Sequence, residues 1–146
     1  SDGLFQMSYA ISVTDNHEAC FALRHHVFVD EQGVPVEEEP DELEAEATHI
    51  LAANDGVPVG TARVVYQDEI AKIGRVCVQK SARGTGLGAD LIKAAVQLAK
   101  DQPGVKIAKL GAQLHALGFY EKLGFSVYGP VYLDAGIEHR DMILAL

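Results

Sequence analysis

The chain has 146 residues, 48% of them hydrophobic, which suits one domain over residues 1–146 with a sizeable core. Its formal net charge of −9 opposes binding to nucleic-acid phosphates, and no stretch approaches the roughly 18 apolar residues of a membrane span. Cys20 and Cys77 lie far apart without metal-ligating neighbours, and the six histidines fall in no zinc spacing. No metal site is therefore expected, and the cysteines read as reduced thiols of a cytoplasmic protein.

Residues 1–6 lack the basic end and apolar run of a leader, and read as an extra or unordered start before Met7. Tyr9 to Val13 is a predicted first strand. Thr14 or Asp15 is placed to cap a helix from His17 to Glu31, with Ala19, Ala22, Leu23, Val27 and Phe28 at helical spacing and Gly33 and Pro35 ending it. Glu37 to Glu46 holds seven carboxylates in ten residues. It reads as a solvated loop with a short helix, or else as a negative rim that draws in a cationic amine. His49 to Ala53 is a second strand. Asn54-Asp55-Gly56 signals a hairpin into a third strand, Val59 to Tyr66. A turn at Asp68-Glu69 leads to a fourth strand, Ile70 to Val78. A helix from Gly86 to Lys100 follows, with Leu91, Ala95, Leu98 and Ala99 on one face. Val105 to Leu110 is a fifth strand, Leu114 to Leu123 a helix, and Phe125 to Tyr128 and Glu138 to Leu144 the last two strands. The order βα(α)βββαβαββ implies an α/β (α+β) fold. It is a mixed, mostly antiparallel sheet of about seven strands with helices on its faces.

Between the fourth strand and its helix lies Val76-Cys77-Val78-Gln79-Lys80-Ser81-Ala82-Arg83-Gly84-Thr85-Gly86-Leu87-Gly88-Ala89. A strand that delivers a nearly side-chain-free loop to a helix start can aim several N–H groups and the helix dipole at one anion. A nucleoside triphosphate loop needs Lys-Ser/Thr after its last glycine, and here Ala89-Asp90 follows. The dinucleotide fingerprint G-x-G-x-x-G/A is met literally by Gly84 to Ala89. The ribose-binding acid about 20 residues on is missing from Gly104 to Leu110. A glycine-rich turn with no ligand is the remaining bland alternative.

Arg83-Gly84-Thr85-Gly86-Leu87-Gly88 matches Q/R-x-x-G-x-G/A and resembles the acetyl-CoA pyrophosphate motif of the GNAT N-acetyltransferases. Gln113 to Phe125 resembles that superfamily's N-x-x-A-x-x-F-Y-x-x-x-G-F pattern, with Gln113 in place of Asn and with Ala116, Tyr120, Gly124 and Phe125 matching. Leu23 to Gln32, Thr48 to Leu51, Gly74 to Val78, Gly111 to Gln113 and Asp134 to His139 resemble its small ElaA-like branch. The resemblance implies acetyl-CoA as cosubstrate. Its pyrophosphate would lie on Arg83, Gly84, Thr85, Gly86, Leu87, Gly88 and Ala89, and its pantetheine arm along Val76, Cys77 and Val78, with further contacts from Gln113 and Tyr120. The arm would enter where the fourth and fifth strands splay, pairing as a peptide extends a sheet edge. Tyr120 falls on the position that protonates the leaving coenzyme A sulfur in many members. A Tyr hydroxyl, with a pKa of about 10, matches a thiolate of similar basicity. Bulky side chains at Gly86 are expected to abolish acetyl-CoA binding.

The resemblance breaks at the base. Histone-type members carry a catalytic Glu where this chain has Lys72. The sequence offers Glu31, Glu37 to Glu39, His49, His115 and His139 instead. Arg24 and Arg75 are candidates for holding an acidic group of the acceptor, or for salt bridges to the acidic segment. Cys77 reads as a core thiol rather than an acyl carrier. The expected activity is transfer of acetyl to a primary amine of a small molecule or peptide by direct attack, with N–H groups of the fourth strand on the oxyanion. A non-catalytic acyl-CoA sensor is the alternative. The family's habit of pairing through its C-terminal strands implies a possible homodimer.

Overall fold

A computed structural model describes residues 9–34 and 46–146. The strands are β1 (Tyr9–Thr14), β2 (Thr48–Asn54), β3 (Val57–Gln67), β4 (Ile70–Val78), β5 (Ile107–Gln113), β6 (Ser126–Asp134) and β7 (Ile137–Ala145). They form one sheet in the order β1-β2-β3-β4-β5-β7-β6. All neighbours are antiparallel except β4 and β5. The helices are α1 (His17–Arg24), α2 (Leu87–Asp101) and α3 (Leu117–Lys122).

Local sequence accounts for the hairpins. Asp55 and Gly56 take φ of 50° and 82°, both left-handed, as a two-residue hairpin turn with the strands' own twist requires. Ala135 and Gly136, at 52° and 77°, do the same between β6 and β7. There the predicted strands were too short: β6 runs to Asp134 through Gly129-Pro130, and the register with β7 shifts between Tyr128 and Tyr132 to absorb the irregularity. β5 likewise continues to Gln113.

The first helix also differs from expectation. Asn16, not Thr14 or Asp15, is the N-cap. Its side-chain oxygen accepts from the Ala19 N–H, while the Thr14 hydroxyl accepts from the Asn16 N–H. Past Arg24 the chain widens into a π-helical stretch, His25–Glu31, closed by a bond from the Gln32 N–H to the Val27 carbonyl. The predicted Gly86 helix start is instead an N-cap in the left-handed conformation. The predicted helix from Leu114 opens as a 3₁₀ turn, Leu114–Ala116. Pro35 and most of the acidic segment, including Glu37 to Glu39, lie outside the described residues.

The helices divide between the two sheet faces. Leu87, Leu91, Ile92, Ala95 and Ala99 of α2 pack into the main core with Ile73, Leu110, Phe125 and Met142. Leu23 and Val27 bury Cys77 on the opposite face. α2 lies so close to β3 that a Cβ on Gly60 would sit 3.0 Å from Leu91 Cδ1 and 3.3 Å from both Leu87 Cδ2 and the Cys77 carbonyl oxygen. Because one obstacle is backbone, Gly60→Ala is expected to cost about 1–3 kcal/mol of stability. Urea unfolding with an unchanged slope would measure it.

Candidate active site

The parallel pair at the sheet's centre is short. β4 and β5 are in register only at Ile70↔Ile107, Ala71↔Ala108 and Lys72↔Lys109. From Ile73 to Val78, β4 is paired with β3 alone, and beyond Lys109, β5 is paired with β7 alone. The two strands therefore part, and each leaves main-chain N–H and C=O groups facing the gap. A bulge adds to this. β3 residues Thr61 and Arg63 oppose Cys77 and Gly74, so β4 carries one extra residue there, and Arg75 has a φ of 50°.

At the open end of the gap the chain turns through Lys80–Ala82 into the glycine loop. Gly84 and Gly86 have φ of 80° and 86°, a conformation that costs L-residues about 1–2 kcal/mol. The N-cap Gly86 offers no side chain, and the first helical bond runs from the Asp90 N–H to the Gly86 carbonyl. The N–H groups of Leu87, Gly88 and Ala89 thus have no acceptor within α2 and point out of its positive end. Val78, Ala82, Arg83, Gly84, Gly86, Leu87, Gly88, Ala89 and Phe119 line an open groove of about 290 Å³. Its floor lies at Gly88, where a Cβ would stand 3.9 Å from Phe119 Cζ and 4.0 Å from Val78 Cγ2.

Side chains hold the loop from below. The Arg83 Nε donates to the Val78 carbonyl at 3.0 Å, and its Nη2 donates to Glu31 at the end of the π stretch. This hydrogen bond, together with the Arg83 charge, holds the Glu31 carboxyl below the usual carboxylate range. Glu31 is thus an ion-pair partner of the loop. The Thr85 hydroxyl donates to the Ala82 carbonyl and accepts from the Tyr9 hydroxyl at 3.3 Å.

The predicted site residues distribute as follows. Val78, Arg83, Gly84, Gly86, Leu87, Gly88 and Ala89 share the groove, and Thr85 braces it. Val76 is half-buried against the main core, and Cys77 is buried under α1. Gln113 ends β5 opposite His139. Tyr120 is half-buried on α3, with its ring edge-on to Phe119 and Phe125 at centroid distances of 5.0 and 6.2 Å. Burial pushes its hydroxyl pKa up. Among the other candidates, His49 is buried with its ring 4.7 Å from that of His17. Arg24 is buried with its guanidinium over the Phe21 ring. His115 is exposed on its 3₁₀ turn, and Lys72 is exposed on β4. Two groove residues, Ala82 and Phe119, escaped the sequence reading. The signal for Phe119 was present, since an aromatic precedes Tyr120 on a short helix and is left exposed.

A seven-stranded mixed sheet parted at its one parallel pair, with a glycine loop and helix start at the opening, defines an acyl-CoA N-acyltransferase fold. The acetyltransferase (GNAT) domain family matches residues 14–146, and the chain belongs to it. Within it the chain falls in the ElaA-like branch. It is 34% identical to protein ElaA of Escherichia coli over 128 residues, 85% of this chain and 84% of that one. It is 44% identical to the uncharacterized N-acetyltransferase YjcF of Bacillus subtilis over 124 residues, 84% and 88% of the two chains. The crystal structure of an acyl-CoA N-acyltransferase from Pseudomonas aeruginosa superposes with a TM-score of 0.84 at 30% identity, covering 96% of this chain and all of that one. The protein is an acyltransferase. Among the described residues, no helix is long and apolar enough to cross a membrane.

Proposed function

We propose that the chain transfers acetyl from acetyl-CoA to a primary amine of a small molecule or peptide. The observation that carries this reading is the alignment of the β4–β5 gap with the uncapped start of α2. An extended, amide-rich arm fits the first, and a pyrophosphate fits the second. When bound, acetyl-CoA supplies an activated acyl thioester. Gly84, Gly86, Leu87, Gly88 and Ala89 hold the pyrophosphate through main-chain N–H groups, and Val76 to Val78 pair with the arm. Tyr120 keeps its proton across the working pH range because burial disfavours the phenolate, and it donates that proton to the departing sulfur. No observation favours a non-catalytic sensor.

Arg83 braces the loop through the Val78 carbonyl and Glu31 and adds positive charge beside the groove. Arg83→Ala is expected to weaken coenzyme A binding about tenfold at low ionic strength, and less as salt is added. Calorimetric titrations at two salt concentrations check this. Thiol release from acetyl-CoA across a panel of primary amines tests the activity. Release with at least one amine supports it, and coenzyme A binding without release on any amine would favour the sensor. A cytoplasmic location and a homodimer joined along the β6 edge, where Tyr128, Val131 and Leu133 are exposed, belong to the same proposal.

A further inference from the structure

The identity of the group that deprotonates the amine is left open by Lys72. The sheet face that carries α1 over β3 and β4 continues across β5, β7 and β6 as a polar surface. Strand register puts Lys109, Gly111 and Gln113 of β5 on one face with Ile143, Asp141 and His139 of β7, and sets Tyr132 of β6 opposite His139. The partners of these β7 residues on β5 lie at or beyond the point where β4 and β5 part. His139 is therefore one strand spacing, about 4.8 Å, behind the gap. That is within reach of one side chain or one water.

The cluster is ordered. The Tyr132 ring stacks on His139 with a centroid distance of 5.8 Å and an interplanar angle of 25°. The Tyr132 hydroxyl donates to Asp141 Oδ1 at 2.9 Å, and Lys109 Nζ stands 3.6 Å from Asp141 Oδ2. The hydroxyl lies directly over Gly111, where any Cβ would collide with it, so the missing side chain on β5 is what admits it. Burial, reinforced by the Asp141 carboxylate, keeps the Tyr132 hydroxyl protonated far beyond the working range. His139 Nδ1 is 2.7 Å from the Ile137 carbonyl oxygen. A carbonyl can only accept, so in the neutral ring the proton belongs on Nδ1 and the basic lone pair on Nε2.

We propose that His139 is the general base of this enzyme, with Tyr132 and Asp141 as positioning residues and an ammonium-bearing acceptor docking on the open face beside them. The proposal rests on the acyl-transfer reading above. Nε2 takes one proton from the acceptor's ammonium, directly or through a water. The freed nitrogen lone pair forms the C–N bond as the C–S bond breaks, and the thiolate takes the Tyr120 proton. The second proton that the nitrogen sheds as the amide forms returns to the Tyr120 oxygen through water, leaving the amide, the coenzyme A thiol and a protonated His139. Titratable and charged groups that strand register puts on the same face around His139 are Tyr132 and Asp134 on β6, Asp141 on its own strand and Lys109 on β5. Glu138 and Arg140, its chain neighbours, lie on the other face.

The test uses the full chain, acetyl-CoA, and spermidine, glucosamine and a lysine-containing peptide as acceptors. His139→Asn is expected to lower kcat/KM at pH 7 by about a hundredfold or more, with coenzyme A affinity changed less than about threefold. With the base present, the wild-type profile should be flatter through alkaline pH than that of the variant. With the lysine-containing peptide, the variant should keep rising about tenfold per pH unit toward that amine's own pKa near 10, because it must wait for the neutral amine. A variant with wild-type rate and profile shape overturns the proposal. Long-range 1H–15N NMR of the unmodified protein supplies an arm independent of the acceptor. A neutral His139 protonated on Nδ1 is expected, and the Nε2–H tautomer overturns the assignment even if none of the three amines is turned over. A wild type that fails to bind coenzyme A removes the acyl-transfer reading instead, which the same calorimetry shows.

Discussion

Gly88→Trp is expected to weaken coenzyme A binding at least about a hundredfold while the protein stays folded. Gly88 is in the first turn of α2, and its backbone is not left-handed, so a side chain adds no backbone strain. Replacing glycine inside a helix gains up to about 1 kcal/mol of propensity. The new Cβ would enter the groove in ordinary contact with Phe119 Cζ and Val78 Cγ2, and an indole beyond it would fill much of the 290 Å³. A pyrophosphate displaced from the helix start would lose several charge-assisted N–H bonds, each worth about 1.5–3 kcal/mol. Two such losses already exceed the hundredfold mark at 1.4 kcal/mol per factor of ten. Gly86, the position singled out in the sequence, is the less clean test, because at a φ of 86° any side chain there strains the backbone as well as obstructing the ligand. Calorimetry gives the affinity, and a thermal melt shows whether the fold survives. Wild-type affinity in Gly88→Trp would remove the groove from the binding site.

Tyr120→Phe is expected to lower kcat by about 10²–10⁴-fold, the range for loss of a positioned acid, while coenzyme A affinity changes little. The ring would remain edge-on between Phe119 and Phe125, so the packing survives and only the hydroxyl is lost. The sign of the pH effect follows from burial. The Tyr120 pKa lies above its ordinary value of 10.0, so the hydroxyl is a full acid donor throughout neutral and mildly alkaline pH, and any loss from its ionisation comes only above that value. A kcat that declines already below pH 9 in the wild type, or an unchanged kcat in Tyr120→Phe, would assign the proton to another donor. Steady-state kinetics from pH 6 to 10 decide both points.

Local chemistry made part of this molecule legible in its sequence. Asn54-Asp55-Gly56 and Asp68-Glu69 announce turns because few residues accept a left-handed φ, and both hairpins form there. Glycines between an apolar strand and an amphipathic helix announce an anion site because the physics of helix ends is local. Other features were hidden for physical reasons. Thr14, Asp15 and Asn16 can all cap a helix, and the choice fell to the residue whose oxygen reaches Ala19. Gly111 to Gln113 looked like the end of a strand because Ala112 alone there faces the core, while Gly111 and Gln113 lie on the opposite, open face. Gly129-Pro130 looked like a break, yet β6 passes through it by shifting register. The π stretch that brings Glu31 to Arg83 leaves no mark in hydrophobic spacing. Above all, the parting of β4 and β5 joins residues more than 30 positions apart, and Tyr132, His139 and Asp141 meet only through a β6–β7 register that shifts between Tyr128 and Tyr132. No reading of neighbouring residues could supply those relations.

The central claim is that the gap and the glycine loop hold one coenzyme A, and a crystal structure of the chain with coenzyme A tests it most directly. Pyrophosphate oxygens are expected within about 3.2 Å of main-chain N–H groups between Gly84 and Ala89. The pantetheine arm is expected between β4 and β5, with the sulfur reaching toward Tyr120. Coenzyme A bound anywhere else, with the gap left open, would contradict it.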